Sequence, residues 1–122
     1  MKSRLEQGYT LLNKLHGEHS GKELVDAVGD ICPDYADLTA EFAFGHIFSR
    51  PQLSIKVREL IVISLCAALG DMENQLHAHI EAAIQCGATE EECVESILQV
   101  SLYAGFPRVT NALLLSKTVF QK

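Results

Sequence analysis

Residues 54–70 read SIKVRELIVISLCAALG, and this stretch decides the fold. Ser54 is a residue type that accepts hydrogen bonds from the free amides at a helix start, and Gly70 is a type that ends helices. Between them, Ile55 to Leu69 places apolar residues on nearly every face of a helix. Such a helix is either central in a domain or covered by a partner subunit. Its apolar run, Leu60 to Leu69, is about half of the ~20 residues that a membrane span needs, so no membrane partner is expected.

Helical patterns continue on both sides of this segment. Towards the N-terminus, Leu5, Leu12 and Leu15 predict a first helix that stops near Gly17. Leu24, Val25, Val28 and Ile31 predict a second that stops before Cys32-Pro33. Tyr35, Leu38, Phe42 and Phe44 mark a third, broken by Ser49-Arg50-Pro51-Gln52. Towards the C-terminus, Leu76, Ile80, Ala83 and Ile84 make a fifth helix closed by Gly87. Thr89-Glu90-Glu91-Glu92 is a capping box that opens a sixth, running to about Ala104. Gly105-Phe106-Pro107 ends it, and Pro107 suits the first turn of a seventh helix through Phe120, with Val109, Ala112, Leu113 and Leu115. No segment shows a sustained period of two. The fold class is therefore all-α, a single-domain bundle of about six to seven helices, with 1–32 as N-terminal helices and 33–120 as the core. The apolar excess on helices four, six and seven implies a homo-oligomer.

Composition narrows the function. A chain of 122 residues, 48% hydrophobic and 21% charged, suits one soluble domain and excludes disordered or collagen-like structure. Ten Lys and Arg against 16 Asp and Glu, a net charge of −6 with no basic run, argue against nucleic acid as a partner. Cys32, Cys66, Cys86 and Cys93 form no Cys-x-x-Cys and no zinc-like set with histidine. They read as reduced thiols of a cytoplasmic protein with no metal.

Glu59 is the most informative residue, an acid inside a helix that reads as buried, with Ile63 and Cys66 one and two turns further on the same face. An acid in apolar surroundings tends to keep its proton, which suits general acid and base work. Alternatively it offsets the helix dipole or pairs with Arg58 or another arginine. His77 and His79 point about 200° apart on a helix, so they are not a metal pair. One of them can face an internal cleft while the other faces solvent or a subunit boundary. Arg50, Arg58 and Arg108 adjoin breaks or helix starts and read as surface or ion-pair residues, or as clamps for a carboxylate near the amides that open helix seven. Tyr103 reads as core packing or as part of a site.

The stretch Glu41-Phe42-Ala43-Phe44-Gly45-His46-Ile47-Phe48-Ser49-Arg50, then Arg58-Glu59-Leu60, then Leu76-His77-Ala78-His79, then Tyr103-Ala104-Gly105-Phe106-Pro107, resembles the carboxymuconolactone decarboxylase family, from about Pro33 to Phe120. The resemblance implies an all-helical subunit assembling into trimers or hexamers, with sites near subunit interfaces. The family's relatives include the AhpD-like alkylhydroperoxidases, which place a Cys-x-x-Cys where this chain has Asp71-Met72-Glu73-Asn74, while Glu59 and His79 match their Glu and His. The named reaction removes carbon dioxide from 4-carboxymuconolactone without any cofactor, because the lactone itself accepts the electrons. Glu59 is then cast as proton donor, His79 as oxyanion donor, and Arg50 or Arg108 as carboxylate clamp, with Arg58, Tyr103 and His46 as further substrate-binding residues. His46 and His77 stand where an acidic and a basic residue are common in the family. Two other readings stand beside this one: an antioxidant thiol peroxidase using Cys66 or Cys86, and a non-catalytic oligomeric binding protein.

Overall fold

A computed structural model describes residues 2–121 of the chain. It is all-helical across the described residues, and its contacts divide it into two compact units, 1–53 and 54–122.

The first unit holds α1 (Arg4–His16), α2 (Ser20–Val28) and α3 (Tyr35–Leu38), which runs directly into a π-helical segment, Thr39–Ile47. Helix α1 starts on a capping box in which Ser3 and Glu6 satisfy each other's amides, and it stops at Gly17, whose φ of +119° favours glycine. Against it lies the π segment, at a backbone approach so close that a methyl group on Gly8 would collide with the Ala40 carbonyl. Tyr9 donates from its hydroxyl to Asp37 Oδ1 at 2.6 Å; burial first, then that bond and the carboxylate charge, push the phenol up to about 12. The expected third helix exists, but of the four residues that mark it only Phe44 is buried. Tyr35, Leu38 and Phe42 are exposed, whereas Ala36, Ala40, Phe44 and Phe48 are buried. A π turn closes five residues back, as from the Phe48 amide to the Ala43 carbonyl, and the wider turn spaces the buried stripe every four residues.

The second unit contains α4 (Ile55–Leu69), α5 (Glu73–Gln85), α6 (Glu90–Leu98), the short α7 (Ser101–Ala104) and α8 (Phe106–Phe120). Ser54 caps α4 by accepting from the Val57 amide, and the Thr89–Glu92 capping box opens α6. Glu92 is held below the usual carboxylate range, chiefly by the Thr89 amide and then by Lys56. The sixth expected helix is interrupted near Gln99 and Val100. That break turns Tyr103 fully into solvent, so the core-packing alternative for Tyr103 does not hold. The core is built from Ile63 of α4, Leu76 and Ile80 of α5, Ile97 of α6 and Val109 of α8. Helix α4 is apolar all round, as its sequence suggests: Ile63, Cys66 and Ala67 face this core, while Ile61, Leu65 and Leu69 remain exposed. No helix among the described residues is long and apolar enough to cross a membrane.

Candidate active site

The buried face of α4 also carries Glu59, which has no exposed surface. Residues 59, 63, 66 and 67 follow the four-, three- and one-residue steps of a single helical face, so the sequence that buries Ile63 and Cys66 buries the carboxylate with them. Helix α4 is fixed along its length. Lys56 pairs with Glu92 at 3.0 Å, Ser64 donates to the Ser96 carbonyl at 2.7 Å, and Arg108 Nη1 donates to the Leu69 carbonyl at 2.6 Å.

Opposite Glu59 on α5 stands His79, whose side chain is 17% exposed, and its Nδ1 lies 2.6 Å from Glu59 Oε1. The second oxygen, Oε2, is buried with no hydrogen-bond partner among the described residues. A carboxyl group in this position is bound on one oxygen and open on the other. Glu59 therefore communicates with solvent through the imidazole, the only member of the two with exposed surface.

His77 points away, as the 200° separation requires, and meets Glu81 one turn on along the surface of α5 at 3.2 Å. Cys66, two turns beyond Glu59, is buried, and its thiol is pushed up by burial and then by the Glu59 charge. Burial and the Glu92 and Glu90 charges push Cys93 up to about 11. Cys86 is partly buried and Cys32 exposed, and all four thiols are free.

The remaining expected residues scatter. Arg58 is half-buried beside Glu59 on α4, while Arg50 and Tyr103 are exposed. His46, partly buried in the first unit, stacks on Phe42 with ring centroids 5.8 Å apart. Arg108 is engaged at the far end of α4. At 1.5 Å per residue, Leu69 lies ~15 Å along the helix from Glu59. Sequence reading did not single out Asn111, Ser64 or Ser96. Ser64 meets the Ser96 carbonyl across two helices, a contact that no periodicity announces.

Residues 33–118 match the model of the carboxymuconolactone decarboxylase family. Across 118 residues the chain is 33% identical to 4-carboxymuconolactone decarboxylase of Acinetobacter baylyi, covering 97% of this chain and 87% of that protein. It is 32% identical over 82 residues to nitrosuccinic acid decarboxylase of Metarhizium robertsii, covering 66% of this chain and 56% of that one. A further match, 35% identical over 81 residues, is an uncharacterised 15.0 kDa protein of Paracoccus denitrificans, with coverages of 66% and 60%.

Proposed function

The chain belongs to the carboxymuconolactone decarboxylase family, and on that premise we propose that it is a cytoplasmic, self-associating carboxy-lyase acting on 4-carboxymuconolactone or a related lactone or carbonyl acid. The observation that carries the reading is the 2.6 Å contact between the fully buried Glu59 and the partly exposed His79. Two relatives named as decarboxylases support the reaction class. The exposed Ile61, Leu65, Leu69, Leu102 and Phe106 support self-association, as a trimer or hexamer.

The chemistry follows from charge. Loss of carbon dioxide from a ring carboxylate leaves an electron pair that runs through the alkene onto the lactone carbonyl. That oxygen needs a hydrogen-bond donor, and the carbon framework must then take up one proton. His79 is the group presented outward, so it donates from Nε2 to the developing oxyanion. That role requires hydrogen on Nε2, and the contact of Nδ1 with Glu59 Oε1 fixes the ring so that Nε2 is the nitrogen left for the substrate. One proton is consumed for each carbon dioxide released, and Glu59 supplies it through His79 rather than by touching the substrate. Arg58, next to Glu59, clamps the spectator carboxylate. The electron sink is in the substrate, so the reaction draws on no cofactor.

The thiol-peroxidase alternative loses support at Cys66, where burial and the Glu59 charge oppose the thiolate that peroxide chemistry needs. The reading is tested by following carbon dioxide release from 4-carboxymuconolactone with wild type and Glu59→Gln. Turnover by wild type, with a loss on the order of 10²–10⁴-fold in the variant, is the expected result. Absence of turnover by assembled wild type removes this substrate.

A further inference from the structure

A separate cavity of about 170 Å³ opens where α4 ends and where α5 and α8 begin. Cys66, Leu76 and Leu115 contribute its apolar lining, and Arg108 and Asn111 contribute its hydrogen-bond donors. It is smaller than the ~300–1,000 Å³ typical of drug-sized sites, so it suits a ligand of only several heavy atoms. Arg108 and Asn111 are three residues apart on α8 and share one helix face. The guanidinium is positioned before any ligand arrives: Nη1 donates to the Leu69 carbonyl at 2.6 Å, and a side chain on Gly70 would collide with that same nitrogen. The bond to Leu69 leaves the rest of the planar fork for a carboxylate, and the Asn111 amide adds a donor one turn on. Asp71 and Glu73 also line the cavity, and they oppose a second negative charge on whatever binds.

We propose that this cavity is a binding site for a small monocarboxylate with a short apolar body, held by Arg108 and Asn111 and distinct from the Glu59–His79 pair. Neither Glu59 nor His79 lines it, although Cys66 follows Glu59 by two turns of α4 and Leu76 precedes His79 by one turn of α5. Its ligand class also differs from the dianionic lactone, since the acids at the cavity select for a single charge.

The test uses isovalerate as the probe, with isovaleramide as its uncharged analogue and isopropylmalonate as its dicarboxylate. Binding is read from the methyl NMR signals of Leu76, Leu115 and Ile63 in the full chain. The expected result is saturable movement of Leu76 and Leu115 with isovalerate, and binding at least about tenfold weaker for the amide and for the dicarboxylate. Arg108→Gln, which keeps a donor for the Leu69 carbonyl, weakens isovalerate by a similar factor. Asn111→Ala changes an exposed residue and gives a second variant should the first lose its fold. Equal affinity for isovalerate and isovaleramide, no saturable shift at Leu76 and Leu115, or unchanged binding by Asn111→Ala and a folded Arg108→Gln would overturn the proposal.

Discussion

Two histidines on one helix, two residues apart, each meet a glutamate, and they differ in nearly everything else. His79 and Glu59 lie 2.6 Å apart with side chains 17% and 0% exposed; His77 and Glu81 lie 3.2 Å apart at 32% and 50%. The outer pair spans one turn of a single helix, in water that screens its charges. The inner pair joins two helices whose relative position is set by the core, and it leaves one carboxyl oxygen buried without a bond among the described residues. Identical functional groups thus become an exposed pair in one place and a buried pair in the other. Burial and the helix that presents each partner make the difference.

The comparison breaks or sharpens under substitution. In the proposed decarboxylation, Glu59→Gln keeps the shape of the inner pair but removes its transferable proton, and kcat is expected to fall on the order of 10²–10⁴-fold. Glu81→Gln in the same assay should leave kcat within about twofold. Stability separates the pairs next. His79→Ala strips the Oε1 bond from a buried carboxyl group and should cost about 3 kcal/mol in urea unfolding, whereas His77→Ala should stay within about 0.5 kcal/mol. Equal costs would mean that burial does not distinguish the pairs.

A smaller effect reports the Glu59 charge directly. Burial and that charge raise the Cys66 thiol, so its alkylation by iodoacetamide should accelerate only at a pH above the ordinary cysteine range. A negative neighbour disfavours the thiolate; Glu59→Gln removes that neighbour and should move the midpoint down, with the burial contribution remaining. His77→Ala should not move it. The smallest effect concerns salt: raising ionic strength should erase any contribution of His77–Glu81 to stability, a change of a few tenths of a kcal/mol.

Much of the second unit was legible because its signals are local. Ser54, Gly70, Thr89, Glu92 and Pro107 act within a few residues, so α4 starts and stops and α6 and α8 start where the sequence says, although α6 ends short of the expected Ala104. The opposite directions of His77 and His79 follow from helix geometry alone. The π segment was not legible, since its close approach to α1 at Gly8 is a tertiary fact and its buried stripe follows neither Tyr35 nor Phe42. Tyr103 was ambiguous because its direction depends on a helix break that no glycine or proline marks. The partner of Glu59 was legible only through family resemblance: apolar periodicity shows that the residue is buried, not which residue on another helix meets it. Arg108 carried the right chemistry for an anion, but its distance from Glu59 required the fold.

The most direct measurement compares carbon dioxide release from 4-carboxymuconolactone by His79→Asn and His77→Asn, each confirmed to be folded. Asparagine can still meet the neighbouring glutamate but has no counterpart of Nε2. The account predicts a loss of at least about 10²-fold for His79→Asn and less than about twofold for His77→Asn. Wild-type turnover retained by His79→Asn, or equal losses in the two variants, would contradict it.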